Sequence, residues 1–231
     1  MSELLDVAEF QACLVEAVTK SFGDLISRFS GDTFYGFALF TTDDLAGVVP
    51  SASTERGFEQ RKQELLADQD RLTWLAQKNI DLQEVIDTDC RWSVYSWEHG
   101  CHLADAFSPA GEMLRAAADR APSESKRIHL TAVALAAMVV ALRRVELEGL
   151  FAKVEPRASF TVLCSKPCSS DTTWLEEESA FLLNPRRVFN AFKRQRFGHI
   201  EDDGRWPGPT EKQFHYAISQ SAEFRRRRRR G

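Results

Sequence analysis

The stretch that decides the fold is Thr33 to Glu55, TFYGFALFTTDDLAGVVPSASTE. An apolar run breaks abruptly into Thr41-Thr42-Asp43-Asp44. A second short apolar piece, Val48-Val49-Pro50, follows, and then a helix-start signal, Ser53-Thr54-Glu55. Apolar side chains occupy both parities of the first run: Phe34, Ala38 and Phe40 on one, Tyr35, Phe37 and Leu39 on the other. A strand with two apolar faces has to be covered on both, which places it in the middle of a domain. Thr54 is suited to cap the next helix, because its side-chain oxygen can accept a free amide at the helix start. The charge of Glu55 suits the positive end of the helix dipole.

Outward from this stretch the chain alternates helical patterns with few strands. Leu4, Ala8, Ala12, Val15, Val18, Phe22, Leu25 and Phe29 recur at three- and four-residue steps and predict a helix from Ser2 to Phe29. Helices follow to about Leu66 and from Gln69 to Lys78. Another runs from Ala104 to Arg120, and a long one runs from Ser123 to about Phe151. That long helix is apolar nearly all round, which predicts burial on both sides. Phe160 to Cys164 reads as a second strand. Asn184-Pro185 reads as an N-cap followed by proline at the first helical position. The expected architecture is α+β: a small central β-sheet covered by several α-helices, including one long buried helix. Residues 1–200 form the globular domain, 201–210 (EDDGRWPGPT) a polar Gly/Pro link, 211–224 a short amphipathic helix and 225–231 a basic tail.

Length and composition fit this picture. The 231 residues are 43% hydrophobic and 28% charged, enough for one domain with a sizeable core. The start of the chain lacks a basic, apolar export signal, and the longest apolar run, Leu130 to Leu142, falls short of the ~20 residues of a bilayer span. A cytoplasmic protein without a membrane partner is expected. Five cysteines, Cys13, Cys90, Cys101, Cys164 and Cys168, are then free thiols. Cys164 and Cys168 with His99 and His102 lack the second tight ligand pair of a structural zinc site.

The formal charge is −4, and Arg225, Arg226, Arg227, Arg228, Arg229 and Arg230 supply +6 of it, leaving −10 on the rest. An acidic body disfavours nucleic acid and favours a basic protein partner. The tail is suited to weak, nonspecific polyanion contact, or to solvation as a disordered terminus. Among chemical candidates, Asp43 and Asp44 stand where a buried strand ends. They serve either as a solvated turn or as a ligand or general base. Trp92 and Trp97 either stack on a ligand or fill the core. Glu176, Glu177 and Glu178 read as an exposed helix face. No Gly-rich phosphate loop, GxSxG elbow or HExxH pair is present, and neither a cofactor nor a metal is expected.

Three segments carry a resemblance. They are the aromatic-Gly-Phe-Ala-Leu, Thr-Thr, Asp-Asp and Pro-Ser-Ala-x-Thr-Glu pattern of the opening stretch, Arg91-Trp92-Ser93 with Trp97, and the run from Phe160 to Pro185 with Trp174-Leu175-Glu176, Ser179 and Leu183-Asn184-Pro185. Together they resemble a bacterial family known as domain of unknown function 4303, over about Phe10 to Phe197. The family pattern has Ser-Pro-x-acid-Trp where this chain has Ser93-Val94-Tyr95-Ser96-Trp97, so a weaker helix start is expected here. By analogy of class, the resemblance implies an immunity-type role of the kind found in polymorphic-toxin neighbourhoods. The two functions consistent with all this are a non-enzymatic protein-binding module and a small hydrolase or transferase using the strand-end carboxylates.

Overall fold

The computed structural model describes residues 4–154, 156–198 and 207–225. Its order is α1 (Val7–Arg28), β1 (Phe34–Phe40), β2 (Val49–Thr54), α2 (Glu55–Ala67), α3 (Gln69–Gln77) and α4 (Leu82–Val85), the last continuing as a π turn over Ile86–Arg91. Then come α5 (Ser108–Asp119), α6 (Glu124–Leu147), β3 (Thr161–Ser165), α7 (Thr172–Leu183), α8 (Arg186–Phe197), α9 (Pro209–Gln220) and α10 (Ala222–Arg225). The fold is α+β.

The sheet has the order β2-β1-β3, with β1 antiparallel to β2 and parallel to β3. All of β1 except half-buried Phe40 is buried, as a two-faced central strand requires. The two faces are not the two parities of the sequence. The register against β2 steps from Phe34 opposite Thr54 to Gly36 opposite Ser53, so Tyr35 is one residue extra. Such a bulge transposes the alternation on one side of it. Phe34 therefore joins Phe37 and Leu39 in the main core, and Tyr35 joins Ala38 and Phe40 in a second core on the opposite face.

The main core is built by α1 and α6. In the first half of α1 the buried line runs through Phe10, Leu14 and Ala17, whereas Ala8 and Ala12 are exposed. The bulkier side chains one step away bury more apolar area and set the rotation of the helix. Ser123 caps α6 through the amide of Lys126. By length and composition α6 could cross a membrane, but 72% of that window is buried inside the fold. It lies against α1 and α9, and this burial accounts for its apolarity. The helix expected over 211–224 is two helices broken at Ser221, and Phe214, Ile218 and Phe224 complete the main core.

Both sheet edges are covered, which removes the open ladders that invite aggregation. Along β2, the amides of His99 and Cys101 donate to the carbonyls of Ala52 and Pro50. Along β3, side chains of α7 and of the residue after it replace a fourth strand. Ser179 Oγ accepts from Cys164 N–H at 2.9 Å. Asn184 accepts from Val162 N–H at 2.8 Å and donates to its carbonyl at 2.7 Å. Asn184 is therefore not the N-cap of α8; its amide is used across the sheet edge, and α8 starts after Pro185 without a side-chain cap. Glu176 departs from the expected exposed face. It is 2% exposed, accepts from Ser165 Oγ at 2.6 Å and pairs with Arg196 at 2.9 Å. Burial raises its pKa against the pull of Arg196.

Candidate functional site

Parallel pairing of β1 and β3 brings their C-terminal ends together, the end at which open parallel α/β sheets hold their ligands. Asp43 leaves β1 there and Lys166 leaves β3. The Lys166 ammonium, on a residue only 6% exposed, lies 2.7 Å from Asp43 Oδ1 and 3.0 Å from Asp171 Oδ2. The indole N–H of Trp174 donates to the other oxygen of Asp171 at 2.9 Å and fixes it. Asp43 itself is 65% exposed in its side chain. Asp44 turns away: it accepts from Thr42 Oγ1 and from the amide of Ala46, closing the turn after β1. The two adjacent carboxylates thus do different jobs. Asp43, Lys166, Asp171 and Trp174 form one side of a cleft of about 550 Å³, and Arg127 and Thr131 of α6 line it as well.

The electrostatics favour charge recognition over proton transfer. Burial opposes the Lys166 charge, but the hydrogen bonds with Asp43 and Asp171 outweigh it and raise its pKa. The hydrogen bond from Lys166 lowers that of Asp43. Asp43 is a weak base at neutral pH, and Lys166 keeps its proton and is no nucleophile. The exposed partner and the buried one also differ in structural weight. Asp43→Asn is expected to cost below about 1 kcal/mol. Asp171→Asn is expected to cost about 2–3 kcal/mol, because it strips the buried ammonium of its shielded counter-charge, and the single amide oxygen left cannot accept from both Lys166 and the Trp174 indole. Chemical denaturation of both variants decides this ranking. Equal losses would mean that Asp43 is as integral to the fold as Asp171.

A second polar cluster lies under the bulged end of β1. Arg61 of α2 donates to Cys90 O at 2.9 Å, and at 2.8 Å to each of Glu98 Oε2, Tyr35 OH and Ser53 Oγ. Glu98 also accepts from Ser53 Oγ at 2.5 Å, Thr54 N–H at 2.6 Å and Thr54 Oγ1 at 2.7 Å. Thr54 caps α2 as expected, through the amide of Gly57. Gly57 has to be glycine: a Cβ there would stand 2.0 Å from Glu98 Cδ. Burial pushes the Tyr35 phenol up to about 12. The segment before Glu98 makes only a 3-10 turn, Val94–Ser96, without a Ser93 cap, in keeping with its missing proline and carboxylate.

Trp92 and Trp97 are each 3% exposed. Trp97 donates to Arg91 O at 2.8 Å and packs against Gly36, where a Cβ would meet the ring at 2.5 Å. Trp92 meets Tyr35 and Phe192 edge-on. Both tryptophans are core residues whose faces are taken, and neither is placed to stack on a ligand. His102 pairs with Asp24 at 2.7 Å, and His99 lies on the Phe29 ring. Among the described residues no three metal-ligating side chains converge. Arg225 is exposed and donates to Gln220; Arg226 to Arg230 lie outside the described residues.

The surface feature that sequence patterning missed is an arm formed by α2, α3 and the turn to α4. On α3 only Leu75 is buried. Trp74 is 42% exposed, and Leu66 and Ile80 flank it, also exposed. Between Glu59 and Asp89 there are eight acidic and four basic residues. Of those bases, Arg61 is turned inward to Glu98, and Arg71 lies over the Trp74 ring. The available signal in the sequence is the sparse apolar face of α3, where only Leu72, Leu75 and Ala76 accompany Trp74.

No curated protein and no solved structure matches this chain. The profile of one family, described as domain of unknown function DUF4303, matches residues 14–185. That span includes the bulged strand with the Gly36–Trp97 contact, the Thr54 cap, and the Ser179 and Asn184 side chains that close the sheet, so the chain belongs to the DUF4303 family.

Proposed function

We propose that the protein is a non-enzymatic, cytoplasmic protein-binding module of the immunity type, and that its α2–α3 arm docks a basic partner. The exposure of Trp74 carries this reading. A large aromatic ring stands on an outlying helix with apolar neighbours and an acidic surround, the composition of an interface centre with a steering rim. The strand-end cleft adds no support for a hydrolase or transferase, because its carboxylate is ion-paired and its lysine stays charged.

The test uses a partner purified with the tagged chain from its native cells. Trp74→Ala is expected to weaken binding at least about tenfold, as loss of an interface anchor does, while thermal stability changes little. The association rate should fall as salt rises, because charge steering is screened over about 10 Å at 0.1 M. Unchanged affinity in the variant would remove the arm as the docking surface, and a rate independent of salt would remove charge as its basis.

A further inference from the structure

Helix α8 has a surface opposite in character to the arm. It carries Arg186, Arg187, Lys193, Arg194 and Arg196 and no acidic residue. Arg196 is turned inward to Glu176, and Lys193 pairs with Glu177. Arg186, Arg187 and Arg194 are exposed and have no carboxylate partner among the described residues. Two of them stand in the first turn, at the positive end of the helix dipole, where cations are disfavoured. Beside them Phe181 is 52% exposed, edge-on to Phe189 at 5.3 Å. Unpaired arginines around an exposed ring are the residue types that dominate interface energy.

A nucleic acid would fit the positive charge, but the chain as a whole carries −4, which opposes a polyanion. The complement to this face is present on the chain itself. The arm together with α4 and the π turn carries a net −4 between residues 59 and 89, three of those charges being Glu84, Asp87 and Asp89 beyond α3, and the arm exposes Trp74, Leu66 and Ile80. Both α2 and α8 pack against the same π turn, Ile86–Arg91, so the two elements are neighbours in the fold. We infer that α8 docks on the acidic arm of a second copy of this chain, a proposal that rests on reading the arm as a docking surface and in which the second copy and the basic partner compete for it. A two-fold axis makes the arm-to-α8 contact twice and closes the assembly as a dimer.

Sedimentation of the full chain tests this. The wild type is expected to be dimeric at low salt, with its dissociation constant rising at least about tenfold between 0.05 and 0.5 M NaCl. Reversing α8 (Arg186→Glu with Arg187→Glu) should give monomers. That reversal puts carboxylates where the helix dipole favours them, so folding is not at risk. Reversing the arm (Glu64→Lys with Asp70→Lys) should also give monomers. An equimolar mixture of the two variants should recover the dimer, because the unchanged acidic arm of one then faces the unchanged basic α8 of the other, and the second contact pairs a neutral arm with the reversed α8 without repulsion. Wild type that stays monomeric up to about 100 µM, too weak to matter on the affinity scale, would overturn the proposal. So would a dimer indifferent to both reversals. A monomer that binds oligothymidylate through Arg186 and Arg187 would overturn it too and assign the face to nucleic acid. If the dimer fails while Trp74→Ala still abolishes capture of a basic partner, only this inference falls. If Trp74→Ala affects neither assembly nor capture, the reading of the arm itself falls.

Discussion

Replacing Phe37 with alanine is expected to destabilise the protein by about 3–5 kcal/mol, the range for deleting a fully buried aromatic ring and leaving its cavity. Phe37 is the centre of the main core. It is 0% exposed, and its ring centroid lies 4.9–5.5 Å from those of Phe34, Phe22, Phe151 and Phe160. These neighbours come from β1, α1, the turn after α6 and the approach to β3. A cavity at Phe37 therefore touches four separate segments, and none can close it alone without losing its other contacts. The comparison is Phe181→Ala, which removes the same ring from a half-exposed position and is expected to change stability by less than about 1 kcal/mol. Urea unfolding of both variants, with equal slopes, gives the difference. A loss below about 1 kcal/mol for Phe37→Ala would mean that β1 is not the strand on which the core is built.

Much of that core is legible in the sequence because it depends on local pattern. The two-faced run at Phe34–Phe40, the Thr54 and Ser123 caps and the all-round apolar helix α6 all follow from residues within a few positions of one another. The parts that patterning misassigns are held by distant partners. The bulge at Tyr35 is selected by Trp97, whose ring demands Gly36, and by the Tyr35 hydroxyl, which donates to Arg91 O at 2.8 Å. Strict alternation along β1 contains neither residue. Asn184 followed by proline has the local form of a helix cap, but its amide matches the open edge of β3 better. Glu176 sits in a run of three glutamates that looks solvated, yet only its place on the helix faces Ser165 and Arg196. Lys166 follows a strand as one lysine among many. Its importance comes from the parallel register that sets it beside Asp43, about 120 residues earlier in the chain. The candidate site was thus half legible: its exposed carboxylate could be named, its buried cation could not.

Glu98 shows the same limit and gives the second large effect. The sequence pattern draws attention to position 96, where the carboxylate is missing, while the working carboxylate is two residues further on. Glu98 joins the outer edge of β2 to the start of α2 and neutralises Arg61. Burial raises its pKa, but the hydrogen bonds from Ser53, Arg61 and Thr54 outweigh this and bring it from 4.5 down to about 2. The folded protein therefore binds this proton more weakly than the unfolded chain does. The stabilisation is complete above about pH 4.5 and is lost as the pH falls toward 2. A shift of this size corresponds to an order of 3 kcal/mol. Other carboxylates titrate in the same window, so the useful quantity is the difference between wild type and Glu98→Gln. At pH 7 the variant should be less stable by about 3 kcal/mol, because an amide N–H₂ then faces the donors of Arg61 or Thr54. As the pH falls from 4.5 toward 2 the wild type should progressively lose its advantage, with about half or less of it left at pH 3 and the two unfolding free energies converging only near pH 2. A gap of the same size at pH 3 and pH 7 would show that the charge of Glu98 is not what holds β2 to α2, and that shape alone accounts for its place above Gly57.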